Sequence, residues 1–427
     1  MTVTGTTSYS PRWRTVDSEE PVPMSATGDT SARKTPLSYW LLLAFLLLVY
    51  ANLPFVLPAS EAVHPAKVIA IVGILALTSE TVFGSRRFDF ALPEGGLLLA
   101  FLAAAGLSCL TALWPGYAFE AVTTLLKMGA VYFVIVNCVT TERALQGVMA
   151  TMVAGGLFPA LGTLRNYAQG NLVEGRTSWV GIFANPNEVA YSLVILLPLA
   201  AYLISVRGWL TRIPLIAISL VFVPAIFVTF SRGGLIGLGA VAIIYAWRKR
   251  TVWIQILIVL LVAGGIVLAS RYWSRGEDFS QLGADVSFQQ RIATSRAGFD
   301  MFIDHPLLGV GLACSVIAWP LYAPRGLYTR GALVTHNTII QALSETGIVG
   351  FIPFVLLIGM GLYHMRKLGL EPRKNIANTG TAIEVAIWGL VVCGMSGGYV
   401  VTWFPYLLLG LAGAARRIAG EGAKEAQ

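Results

Sequence analysis

Charge is scarce in this chain. Of its 427 residues only 12% are Asp, Glu, Lys or Arg, about half the roughly 25% of an average soluble domain. A disordered chain stays in water through high net charge and few apolar residues, so that class is excluded, and a soluble globular enzyme is disfavoured. Cysteine is scarce too, with four residues. Cys109, Cys138 and Cys393 sit in apolar runs, and a disulfide scaffold needs more. The four histidines and four cysteines form no cluster with metal-ligand spacing. There is no Asp-x-Asp pair of the metal-holding kind, and no G-x-x-x-x-G-K-[ST] phosphate loop. A cleavable signal peptide is missing as well. Residues 1–36 are polar and rich in Pro, Ser and Thr, and the first apolar run starts only at Leu37.

What the chain has in abundance is apolar surface: 56% hydrophobic residues and a mean hydropathy of +0.70. A bilayer-crossing helix needs roughly 20 mostly apolar residues. Runs of that kind occur at about 37–57, 63–83, 95–113, 121–140, 146–165, 189–206, 214–230, 234–247, 252–270, 345–364, 382–400 and 403–415. Twelve spans put both termini on one side. Nineteen basic residues then fall on that side and nine on the other, with Lys67 and Lys127 inside spans. The positive-inside rule makes the richer side cytoplasmic. The net charge of +8 is therefore read as loop asymmetry, and nucleic acid is not expected as a partner.

The nine outer basic residues are all arginine, whose planar fork suits bidentate phosphate contact. An arginine-favouring codon bias is the plain alternative. Asn185-Pro186-Asn187 closes the first outer loop and reads as a turn and cap opening the sixth span. Alternatively Asn185, Asn187 and Glu188 face a polar cavity at the membrane edge. Arg232, in Thr229-Phe-Ser-Arg-Gly-Gly234, has almost no loop around it. A cation at membrane depth is costly and commonly functional; snorkelling to headgroups is the other reading. Residues 285–304 read as an outer helix with Ser287 and Gln290 as a capping box. Phe288, Ile292, Phe299 and Phe302 form its expected apolar face, flanked by Arg291 and Arg296. Such a helix binds phosphate or lies on the membrane. His336 precedes Asn337 at the end of the large loop. Imidazole, with a usual pKa of about 6.5, suits proton transfer near neutrality, and Asn337 could orient it. A lone histidine is more often structural. Lys127 reads as a snorkelling side chain, or as one facing an anionic ligand.

Four segments in this order resemble the O-antigen ligase / Wzy polymerase superfamily of bacterial envelope glycosyltransferases. They are Gly181-Ile-Phe-Ala-Asn-Pro-Asn187; Phe230-Ser-Arg-Gly-Gly234; Gln290-Arg-Ile-Ala-Thr-Ser-Arg296 with Asp304-His-Pro-Leu-Leu-Gly-Val-Gly311; and Thr335-His-Asn337 with Glu345-Thr-Gly-Ile-Val-Gly-Phe351. The resemblance spans about 178–355. It implies transfer of a glycan from undecaprenyl diphosphate to a hydroxyl acceptor, with no metal or other cofactor. It implies that the family's essential positions fall on Arg232, Arg291 and His336, with Arg296 a partner of Arg291. Asn185, Asn187, Glu188 and Asn337 stand beside them as substrate-binding candidates. The acceptor would be a second lipid-linked glycan in a polymerase or lipid A core in a ligase; a protein hydroxyl ranks last. Polysaccharide export or chain-length proteins are further expected partners, besides membrane lipids.

The expected architecture is an all-α integral membrane protein of about twelve transmembrane helices in the bacterial inner membrane. A disordered cytoplasmic tail (1–36) precedes a polytopic domain (37–418), and a short cytoplasmic tail (419–427) follows. One large periplasmic loop, about 271–344, carries short helices and faces the site to the periplasm. The rival reading is a twelve-span secondary transporter. Against it, Gly84-Ser-Arg-Arg-Phe-Asp-Phe90 lacks the major-facilitator loop pattern, and no related halves are apparent.

Overall fold

The computed structural model describes residues 1–2, 35–56, 63–84, 87–173, 175–249, 286–324 and 333–424. Most of the N-terminal tail, the ninth apolar run at 252–270, Arg271, Arg275, Arg325 and Arg330 lie outside the described residues. The helices below belong to one compact unit, Pro36–Gln427. Among the described residues there is no β-strand, only an isolated bridge between Val173 and Arg176.

Each of the other apolar runs lies on helix: α1 (Leu37–Ala51), α2 (Pro65–Val82), α3 (Glu94–Ser108), α4 (Pro115–Cys138), α5 (Glu142–Gly155) with α6 (Leu157–Ala168), α7 (Pro186–Val206), α8 (Trp209–Val228) and α9 (Arg232–Lys249). After α10 (Val286–Asp304) and α11 (Ser315–Tyr322) in the expected large loop come α12 (Thr338–Leu368), α13 (Lys374–Gly394) and α14 (Trp403–Lys424). Among the described residues, seven stretches are long and apolar enough to cross a membrane: α2, α4, α5 with α6, α7, α8, α12 and α13. This is a multi-pass, all-helical membrane protein. α1 and α3 are apolar but shorter, while α9 and α14 carry arginines at or near their ends.

Local chemistry moves several expected boundaries. The first run stops at Asn52, whose left-handed φ of 50° ends α1. α12 starts at Thr338 rather than Glu345, because the Asn337 side chain accepts from Ile339 N–H and Ile340 N–H and caps it. α10 begins at Val286, so Ser287 lies inside the helix rather than at its cap. Its buried face also differs from the expected one. Ala293, Ala297 and Met301 are buried, whereas Ile292 and Phe299 are exposed. That face packs with Val310, Cys314, Ala318 and Trp319 in and before α11, while Gly298 meets α12, where a Cβ would lie 2.6 Å from Ile340.

α7 and α13 are the most enclosed spans and α2 the least. In lipid, helices associate through close packing of small residues more than through the hydrophobic effect. α9 meets α13 in this way. A Cβ at Gly389 would lie 2.6 Å from Val241, and one at Gly237 would collide with Cys393.

α12 is not one smooth helix. Gly347 has φ 58° and ψ −166° inside it, a conformation that favours glycine. The segment after α10 enters this break. Ile348 N–H donates to Pro306 O (2.9 Å), Val349 N–H to Leu307 O (3.2 Å) and Val310 N–H to Ser344 O (2.9 Å). A Cβ at Gly309 (φ 70°) would sit 2.5 Å from the Ser344 and Glu345 backbone, and one at Gly347 would strike Leu307. The buried Glu345 carboxylate closes the joint by accepting from Ala313 N–H (2.9 Å) and Ser315 Oγ–H (2.6 Å). The 304–311 and 345–351 segments therefore interlock, and α10 is held against α12.

Acidic and basic groups pair at the far end of the bundle. Arg248 bonds Glu384, His364 bonds Glu94, and Arg416 Nη2 lies 3.2 Å from Glu94. Glu94 and Glu384 are buried, and each has two cationic or imidazole partners, which offsets the desolvation of a carboxylate.

Candidate functional site

At the opposite end of the bundle, helix ends converge. Asn185 caps α7, its side chain accepting from Asn187 N–H at 2.9 Å. That turn buries Asn187, whose Oδ1 accepts from Arg176 Nη2–H (2.6 Å) and Ser231 Oγ–H (2.7 Å). Arg176 Nε–H also donates to Thr229 O at 3.2 Å. One amide oxygen thus ties the first outer loop to the α8–α9 junction. The junction is tightly turned: Phe230 takes φ 47°, uncommon for a residue with a Cβ. Ser231 Oγ then accepts from Gly234 N–H at 3.2 Å, and Arg232 opens α9.

Gly233 is seated against α7 and the α13–α14 turn, where a Cβ would collide with the Tyr191 hydroxyl and Ser396 Oγ. Tyr191 O–H donates to Ser396 O at 3.2 Å. The same turn is bound to α12. Thr338 Oγ1–H donates to Gly397 O (2.7 Å) and accepts from Tyr399 N–H (3.0 Å). Gln341 Oε1 accepts from Val400 N–H (3.3 Å), while its Nε2–H reaches Glu345 (3.2 Å). The residues around Arg232 and those around His336 therefore share one turn, 395–402.

His336 is half-buried immediately before the cap of α12. Burial first, and then the positive charges of Arg291 and Arg176, push its imidazole down to about 4. Arg291, half-buried on α10, also exerts its charge on Tyr191 and Tyr399. The Tyr399 hydroxyl is driven well above its usual range, by burial and then by Glu188, Tyr191 and Cys393, against the pull of Arg291. The charges of two arginines thus act at the bundle end on an imidazole kept neutral at pH 7 and, from Arg291, on two tyrosines. Such a setting favours an anionic group brought among the arginines.

The sequence candidates take distinct places here. Arg291 and His336 are brought together, and Arg232 opens the helix seated against Tyr191 and the 395–402 turn. Glu188 acts electrostatically on Tyr399, and Asn187 is the shared acceptor of Arg176 and Ser231. Asn185 and Asn337 act as helix caps; Asn337 fixes His336 through the backbone rather than through a bond to its ring. Arg296 is exposed and makes no hydrogen bond or ion pair among the described residues. Arg176 was not singled out by the sequence reading. Its only signal was membership of the all-arginine outer set. Ser231 lay inside the Phe230–Gly234 anchor without being singled out, and Tyr191 and Tyr399 carried no signal. The described residues hold no group of three or more His, Cys, Asp or Glu placed to share a metal ion.

Residues 217–355 match the family model described as O-antigen ligase. The match runs from within α8 to within α12 and contains Arg232, Arg291 and His336. The resemblance seen in the motifs thus holds over this segment, while the Gly181–Asn187 anchor precedes it. No curated protein matches the chain. The match and the helical bundle support a membrane glycan transferase of the O-antigen ligase or polymerase type.

Proposed function

We propose that the protein moves an undecaprenyl-diphosphate-linked glycan to a hydroxyl acceptor at the periplasmic face of the inner membrane, as an O-antigen or exopolysaccharide polymerase or an O-antigen ligase. The observation that carries this reading is the convergence of Arg291 and Arg176 on His336, on the same turn that seats the start of α9. The donor's leaving group is a diphosphate. As the bond from the anomeric carbon to the diphosphate oxygen breaks, its electron pair stays with phosphate, and fixed arginines stabilise the growing charge. The acceptor oxygen forms the new glycosidic bond and loses its proton to His336. One direct displacement inverts the anomeric centre.

The low pKa of His336 has a role in this scheme. An imidazole at about 4 is neutral and ready to accept, yet a weak base. A bound diphosphate offsets the arginine charges and raises its basicity when the donor is in place. The helix ends then supply cations and the imidazole the proton acceptor, with no metal required.

Purified protein in lipid, given the undecaprenyl-diphosphate-linked glycan with and without lipid A core, tests the reading by product size on a gel. A ladder without core means polymerase, and one shifted band only with core means ligase; both should vanish in His336→Ala and persist in EDTA. Full transfer by folded His336→Ala, or loss in EDTA restored by Mg²⁺, would overturn the mechanism. Accumulation of the glycan inside vesicles without product would favour the transporter instead.

A further inference from the structure

Away from this cluster, α1, α2 and α4 enclose a groove of about 630 Å³ that Trp403 also lines. Its wall is apolar apart from the Trp403 ring and two cations, Lys67 and Lys127. Both lysine side chains are exposed, and neither makes an ion pair or a side-chain hydrogen bond among the described residues. Among the described residues no carboxylate lines the groove.

The two lysines lie at one depth. α4 and α14 run side by side with Gly410 against Ile135 and Gly413 against Val136. Counting back along both helices from the first contact puts Lys127 level with the first turn of α14, where Trp403 sits. The Trp403 ring packs on Phe45 of α1, with centroids 5.7 Å apart. α1 and α2 are antiparallel neighbours with Leu41 against Gly73, which puts Lys67 level with the Phe45–Val49 turn. Both cations thus stand near the end of α1 that carries Asn52, and the groove continues past them along Ile71, Val134 and Leu41. Aromatic residues of this kind mark membrane–water interfaces. An intramembrane cation is costly unless an anion or water meets its tip.

We propose that this groove is a binding site for an anionic glycerophospholipid. The headgroup phosphate lies between Lys67 and Lys127, and an acyl chain runs inward along Phe45, Ile71 and Val134. The double positive charge, with no carboxylate among the described lining residues, selects an anion, and the depth of the apolar wall selects one with a chain. α2, one wall of the groove, is the least enclosed span, so the occupant comes from the surrounding bilayer. The site is separate from the arginine–histidine cluster and does not rest on the proposed transfer reaction.

Native mass spectrometry of the purified protein, equilibrated with equal amounts of dioleoylphosphatidylglycerol, dioleoylphosphatidylcholine and undecaprenyl phosphate, tests the proposal. Phosphatidylglycerol should be retained in preference to phosphatidylcholine. A lysine facing a lipid phosphate is worth about fivefold in affinity, so Lys67→Gln should weaken retention about fivefold and the Lys67→Gln/Lys127→Gln pair about thirtyfold. Arg165→Gln, in the separate groove beside α6, should leave it unchanged. Equal retention of the two phospholipids by the wild type would overturn the proposal without recourse to any variant. Retention of undecaprenyl phosphate in place of phosphatidylglycerol would overturn it too, as would wild-type retention in the folded double variant.

Discussion

Removing the charge of Arg291 should make His336 easier to protonate, and this can be measured without any turnover. The imidazole is held at about 4 against an ordinary 6.5, a gap worth roughly 3 kcal/mol between its two protonation states. Burial is the larger cause and survives the substitution; the Arg291 charge is second and Arg176 third. In Arg291→Gln the imidazolium loses one repulsive neighbour, so the pKa rises, by about one pH unit for a half-buried pair at intermediate dielectric. The chain has only four histidines. With His64, His305 and His364 replaced by Gln, diethylpyrocarbonate labelling reports the neutral fraction of His336 alone. In the parent its rate constant, corrected for reagent decay, should be flat from pH 7 to about 5. In Arg291→Gln the fall should begin about one unit higher. A parent that loses half its reactivity near pH 6.5 would refute the argument, as would a fall that moves downward in the variant.

The same displacement has a consequence for stability. Above pH 6.5 the folded and unfolded chains both hold His336 neutral, and its contribution is fully present. Below 6.5 the unfolded chain takes up a proton that the folded site resists until pH 4. Stability is therefore lost as pH falls, by about 2 kcal/mol at pH 5 from this group alone. Donor binding works in the opposite sense. The acid limb of kcat, which reports the donor-bound enzyme, should lie at higher pH than that of kcat/KM.

Arg232→Lys should fold normally yet lower kcat at least about 100-fold, since an ammonium replaces a planar fork at a developing phosphate charge; full activity would show that simple positive charge suffices. Asn187→Ala leaves the Arg176 and Ser231 donors without their shared acceptor and should cost about 1–3 kcal/mol in thermal unfolding. Asn187→Asp keeps an acceptor for both and should recover most of that loss. Gly233→Ala drives a methyl into Tyr191 and Ser396 and should cost about 1–3 kcal/mol, with transfer falling alongside. Gly239→Ala, on the same helix with nothing within 4 Å of its Cβ, should leave both readings unchanged.

What the sequence made legible was what depends on neighbours along the chain. Hydropathy located the helices because crossing a bilayer sets a length and a polarity for each segment separately. Asn185 was recognisable as a helix start because capping is a matter of two or three residues, whereas Asn337, read as orienting His336, caps α12 at Thr338, ahead of the expected start of that span at Glu345. Arg232 stood out because its own flanks are apolar. Legibility ended where position depends on a distant partner. Arg176 reaches Thr229, 53 residues away, and nothing in its surroundings announces this. Gly309 and Gly347 lay in two separate anchors of the resemblance, and only the fold shows them interlocked, with a backbone filling the place of each absent side chain. The buried face of α10 was misjudged for a related reason. Periodicity ranks positions by apolarity, but which face is covered is set by the segment 310–319 that returns onto the helix, so Ala293 and Ala297 go inside and Phe299 stays out. The imidazole joins both halves of this argument. Its chemistry could be named from the residue alone. Its pKa could not, since that value is set by burial and by two arginines brought from a different loop and a different helix. A site assembled from helix ends in this way ties reactivity to tertiary packing. Loosening the Gly309–Gly347 joint, which holds the helix bearing Arg291 against α12, should therefore return His336 toward its ordinary pKa even though neither glycine touches it.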